Sequence, residues 1–104
     1  MIRHLIAALF LTLPLAAWGQ PSDVDLRNYR TKLSQFLGER MSQDKAMREL
    51  NGWFGRDFEA KRDDVEARWD FFVLVRNREG VISYYQRIGT ATEKDPHQLV
   101  LETE

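Results

Sequence analysis

Residues 65–76 read Val65-Glu66-Ala67-Arg68-Trp69-Asp70-Phe71-Phe72-Val73-Leu74-Val75-Arg76, and their polarity changes with a period of two. Successive strand side chains point to opposite faces, so Val65, Ala67, Trp69, Phe71, Val73 and Val75 share one side and Glu66, Arg68, Asp70, Phe72, Leu74 and Arg76 the other. Asn77-Arg78-Glu79-Gly80 then supplies a four-residue turn in which Gly80 is free to take a positive φ, and Val81 to Ile88 returns as the second strand of a hairpin. After Gly89 a polar loop runs to Asp95-Pro96, and residues 97–102 read as a last strand.

Upstream of the hairpin the period is helical. Ser22 with Asp25 three residues later forms a capping pair, Asp standing in for the usual Glu, and Leu26, Tyr29, Leu33, Phe36 and Leu37 follow at helical spacing up to Gly38. Ser42 caps a second, shorter helix with Asp44 near its positive end, Met47 and Leu50 as its buried stripe, Met41 and Met47 as gap fillers, and Asn51-Gly52 as its stop. Residues 53–64 support two readings. A strand over about 53–60, with Lys61-Arg62-Asp63-Asp64 as its turn, is favoured over a helix that would put Phe58, Val65 and Trp69 on one side. The expectation is an α+β fold: two N-terminal helices packed on one face of a three- or four-stranded antiparallel meander.

Residues 1–19 hold 14 of the 45 apolar side chains and one charged residue, Arg3, so the composition of 43% apolar and 30% charged is unevenly spread. A positive start, a charge-free run from Leu5 to Ala17, and small residues at Ala17 and Gly19 make a secretory signal peptide cut before Gln20. The run is too short to span a membrane, and no cysteine follows it for lipid attachment. The expected mature product is therefore one small domain, residues 20–104, free in the periplasm or secreted. That domain carries 14 Lys and Arg against 16 Asp and Glu, a net charge of −2 that disfavours nucleic acid and anionic membranes as partners.

The chemical inventory is short. Without cysteine the chain has no disulfide, thiolate nucleophile or zinc-thiolate site, and His97 is the sole histidine after residue 19. It reads as a solvent-exposed loop residue. Ser83, His97 and Asp95 lack the strand-to-helix elbow of a nucleophile site, and the carboxylate pairs Asp57/Glu59 and Asp63/Asp64 lie beside Arg56, Lys61 and Arg62, which hold them ionised in a solvated turn. The expectation is no catalytic residue, no metal and no cofactor.

One surface stands out. With Trp69, Phe71, Val73 and Val75 turned to the helices, Phe72 and Leu74 point away, and Trp53 and Tyr85 on neighbouring strands are expected to join them within a rim of Arg68, Asp70 and Arg87. Aromatic residues inside a charged rim match the composition of protein-binding patches. The alternatives are that a loop, the C-terminal tail or a second copy of the chain covers this face.

The helix Met41-Ser42-Gln43-Asp44-Lys45-Ala46-Met47-Arg48-Glu49-Leu50-Asn51-Gly52, followed by aromatic strands and the Trp69 to Tyr85 hairpin, resembles the two-helix, three-strand domain of the SmpA/OmlA (BamE-like) lipoproteins, which recurs in β-lactamase inhibitor proteins. The likeness covers residues 39–88. This chain departs from it in lacking the lipid-bearing cysteine, in having Asn51-Gly52-Trp53 for Leu-Gly-x-Pro, and in its longer preceding helix. The resemblance implies binding rather than catalysis. Two functions follow as expectations: an exported protein-binding module of the cell envelope, either an accessory factor or an inhibitor, or a small-ligand or sensor module enclosing an apolar molecule between Trp53, Phe72 and Tyr85.

Overall fold

The computed structural model describes residues 19–101. The expected signal segment lies outside the described residues except for Gly19, and so does Glu102 at the end of the expected last strand.

Helix α1 spans Asp23–Gly38 and helix α2 spans Gln43–Phe54. Four antiparallel strands follow, β1 (Asp57–Asp63), β2 (Arg68–Arg76), β3 (Ile82–Thr92) and β4 (Leu99–Leu101), in sheet order β1-β2-β3-β4. The fold is thus α+β, with the helices on one face of a four-stranded sheet. Each helix start is set by local chemistry. Ser22 Oγ accepts from the Asp25 amide at 3.1 Å while Asp25 Oδ2 accepts from the Ser22 amide at 3.0 Å, a reciprocal box that satisfies two donors the helix cannot bond internally. Ser42 Oγ accepts from the Lys45 amide at 3.3 Å and does the same for α2.

The end of α2 differs from the sequence expectation. Gly52 lies inside the helix, and the stop is Gly55, whose φ of 65° is the left-handed conformation that closes helices at least cost when the residue has no Cβ. Two residues more of helix move β1 to Asp57–Asp63, replacing the expected strand over 53–60, and move the β1–β2 turn to residues 64–67. Val65 and Ala67 therefore leave the strand in which alternation placed them: Val65 is 91% exposed in that turn, and Ala67 takes a φ of 52°.

The core lies between helices and sheet. Leu33, Leu37 and Leu50 from the helices meet Phe71, Val73 and Ile88 from the sheet, all fully enclosed. Tyr29 meets Phe54 and Phe58 edge to face, with ring centroids 4.8 and 5.1 Å away, and joins both helices to β1. Helix α2 runs against β1, and α1 runs against β3 and β4.

Strand β3 continues to Thr92, beyond the Gly89 boundary read from the sequence, and its eleven residues oppose the nine of β2. The pairing accommodates them by skipping Ile88 and Ser83. A bulge leaves its extra residue outside the ladder. Here the Ile88 side chain enters the core, and its carbonyl accepts from Arg30 Nε of α1 at 3.2 Å.

Candidate functional site

Pairing fixes which side chains share the face turned away from the helices. Glu59 opposes Phe72, Lys61 opposes Asp70, Leu74 opposes Tyr85 and Phe72 opposes Arg87, so all of these lie on one side, opposite Phe71 and Val73. Among the described residues no helix packs on this side. At its centre the rings of Phe72 and Tyr85 stack with centroids 4.5 Å apart and planes 20° from parallel. Lys61 Nζ sits 5.9 Å from the Phe72 centroid and 5.5 Å from that of Tyr85, within cation–π range of both.

Asp70 organises the rim. Its Oδ1 accepts from Arg68 Nε at 2.9 Å and lies 3.9 Å from Arg87 Nη1, while Arg68 Nη2 is 3.5 Å from Asp63 Oδ2. The Asp70 carboxylate, through that hydrogen bond, raises the Arg68 guanidinium above its usual value. Asp70 is itself nearly buried, so the aromatic pair is framed by charges fixed to one anchor. Acidic and basic groups balance across the face: Asp57, Glu59, Asp63 and Asp70 against Lys61, Arg68, Arg76 and Arg87.

Four of the six expected surface residues, Phe72, Tyr85, Arg68 and Arg87, come together here. Leu74 does lie on this face, between Asp57 and Tyr85, but it is only 4% exposed and offers no contact area. Trp53 does not belong to the face at all. Because α2 runs to Phe54, Trp53 is helical and 60% exposed; its ring lies on the helix side with Lys32 Nζ of α1 3.8 Å from its centroid. An apolar enclosure between Trp53, Phe72 and Tyr85 is thereby ruled out.

Sequence reasoning missed Lys61, Ile82 and Val100. Ile82 pairs with Arg76 and Val100 with Thr90, which puts both on the aromatic side as exposed apolar residues. The signal for Lys61 was parity within β1, visible only once that strand begins at Asp57.

The residues weighed for catalysis are dispersed. Ser83 Oγ donates to the Val75 carbonyl at 3.2 Å near the start of β3, whereas β4, which follows His97, pairs with the segment from Gly89 to Ala91. Six strand residues, about 20 Å, separate Ser83 from Gly89. His97 is half-buried rather than a solvent-exposed loop residue, and its Nδ1 is enclosed without a hydrogen-bond partner. Asp57 and Asp63 are ion-paired to Arg76 and Arg68, and Asp64 to Arg62. Arg62 also binds Glu93, which holds that carboxyl below its usual range. Among the described residues no group of three or more His, Cys, Asp and Glu is placed to hold a metal ion, and no helix is long and apolar enough to cross a membrane.

A second polar locus lies at the α2–β1 connection. Arg56 is 6% exposed, donates to the Gly19 carbonyl and lies beside the Tyr29 hydroxyl. Burial pushes the Tyr29 phenol above its ordinary value, and the neighbouring Arg56 charge offsets part of that rise. Asn51 Nδ2 donates to the Arg56 carbonyl at 2.7 Å and fixes the corner. On the outer side of this corner is a cleft of about 350 Å³ between residues 55–57 and the β2–β3 turn.

Comparison of the chain with protein-family models, with curated proteins and with solved structures finds no match.

Proposed function

We propose that this chain is a small exported, non-enzymatic binding module of the cell envelope that recognises a protein partner through the helix-free face of its sheet. The observation that carries the reading is the Phe72–Tyr85 stack, 4.5 Å between centroids, with Tyr85 44% exposed. Two aromatic rings, with Ile82 and Val100 exposed on the same side and a framed charged rim around them, supply the anchors that dominate protein interfaces. The balance of four acidic and four basic groups suits a mixed protein surface better than a polyanion, which calls for a cationic excess. Two helices followed by antiparallel strands is also the arrangement that the resemblance to the SmpA/OmlA domain implies, and that resemblance points to binding. The N-terminal targeting pattern directs the reading to the envelope or the exterior.

Crosslinking capture from a native envelope fraction tests this. Wild-type protein should retain a discrete partner, Phe72→Asp and Tyr85→Ser should each lose it, and the circular dichroism melts of both variants should stay near that of the wild type. Equal capture by wild type and both variants would remove the face from the mechanism. A collapsed melt for both would assign the pair to the core.

A further inference from the structure

We propose that this chain forms a two-fold dimer in which β3 pairs, edge to edge and antiparallel, with β3 of a second copy, joining the two sheets into one. Strand β3 begins at Ile82, and β4 covers its outer edge only from Gly89 to Ala91. Among the described residues no strand lies along the outer edge of Ile82 to Gln86. An edge of this kind presents a row of backbone N–H and C=O groups to which another chain can add a strand. The opposite rim of the sheet is composed differently. Strand β1 carries five charged residues in seven, Asp57, Glu59, Lys61, Arg62 and Asp63, the composition that keeps an edge from pairing. Ile82-Ser83-Tyr84-Tyr85-Gln86 has no charge and no proline, and three of its five side chains are strong strand formers. Val81, Ile82 and Tyr85 are moreover exposed beside this edge.

The occupant follows from length and register. Seven residues, Ile82 to Ile88, separate the start of β3 from its first pair with β4, and their midpoint is Tyr85. A two-fold axis at Tyr85 lets each copy's run lie against the other's, with each β4 continuing in line with the neighbouring β3. An axis nearer Gly89 would set β3 against a stretch that β4 already holds. Antiparallel two-fold pairing opposes residues equidistant from the axis, so Tyr85 meets its own copy and Tyr84 meets Gln86 of the second copy. The faces match, as a register must: Tyr84 and Gln86 oppose Val75 and Val73 and share the helix side, while Tyr85 lies on the aromatic side. Within one chain the Tyr84 hydroxyl already donates to Gln86 Oε1, and the same two groups face each other across the axis. On the aromatic side the axis brings two Phe72–Tyr85 stacks into one row of four rings. So short a pairing buries less than a standard interface, which makes the association reversible and dependent on concentration.

Sedimentation velocity on the purified full chain should show a reversible change from one-chain to two-chain mass as concentration rises toward about 1 mM. The chain has no cysteine, so introduced thiols report the register without background. Under mild oxidation Tyr85→Cys should give a disulfide-linked dimer, because opposed residues lie about 4.5–5.5 Å apart. Ile82→Cys, exposed on the same face, should link at least tenfold less, since its two copies are separated by about 20 Å of strand. Should Tyr85→Cys fail to fold, a mixture of Tyr84→Cys and Gln86→Cys chains should link to each other faster than either does alone. One-chain mass at every concentration, or equal linking at positions 82 and 85, would overturn the dimer. The inference does not rest on the aromatic face binding another protein: a monomer that captures a partner sinks this proposal alone, and a dimer that captures none supports it.

Discussion

Phe72 and Tyr85 stack although they are not cross-strand partners: Phe72 opposes Arg87 and Leu74 opposes Tyr85, so the two rings meet along a diagonal of the sheet. Diagonal neighbours are about 7–8 Å apart at the backbone, a gap that aromatic side chains bridge. Their contact should therefore be measurable as a coupling. In a double-mutant cycle on Phe72→Ala and Tyr85→Ala, urea denaturation should return an interaction of about 0.5–1.5 kcal/mol. Additive losses would show that the rings do not interact in solution.

Adjacent phenylalanines should behave as opposites. Phe71 is wholly enclosed among helix residues, whereas Phe72 is half-buried on the far side of the same strand. Phe71→Ala should cost about 3–5 kcal/mol, close to the whole stability of a domain this small, and Phe72→Ala about 1 kcal/mol. Equal costs in chemical denaturation would mean that the two faces are wrongly assigned.

The two glycines near the end of α2 should respond with opposite sign to the same substitution. Gly52 is inside the helix and a Cβ added there meets nothing within 4 Å, so Gly52→Ala should stabilise by about 0.5–1 kcal/mol through the unfolded-state entropy it removes. Gly55 also has open space around it, but at a φ of 65° Gly55→Ala should cost about 1–2 kcal/mol. Thermal melts of the two variants should move apart, up for the first and down for the second.

Alkaline stability should depend on Tyr29. Burial raises its phenol above the ordinary value of 10, so the folded chain holds that proton more tightly than the unfolded chain. The associated stability is fully present below pH 10 and is lost as pH rises from there through the folded-state value. Tyr29→Phe should flatten the decline of stability above pH 10. An unchanged alkaline limb would place the sensitivity elsewhere.

The hairpin, the two helix caps and the inward residues Phe71 and Val73 were legible because each rests on local chemistry or on a two-residue period. The α2–β1 junction was not. Phe54, Phe58 and Ala60 alternate with polar neighbours as a strand would, and Asn51-Gly52 has the composition of a helix stop. The helix nonetheless continues, because Phe54 packs on Tyr29 and Gly55 supplies the left-handed cap three residues later. A shift of that size moved the turn off Lys61 and brought Lys61 under the aromatic pair.

The amino-acid order by itself determined the class of the fold, the capped helices, the central hairpin and the presence of an aromatic residue, Phe72, on the side away from the helices. Those follow from hydrogen-bonding geometry and from alternation within a few residues. Only the tertiary structure decided that Trp53 leaves the face, that Leu74 is enclosed, that Phe72 finds Tyr85 along a diagonal, and that Arg56, Arg76 and Arg78 gather around one cleft. The place of Trp53 depends on where α2 ends, and the meeting of Phe72 with Tyr85 on strand register and the two skipped residues in β3; both are set by how helices and sheet share one core and not by any neighbour in sequence.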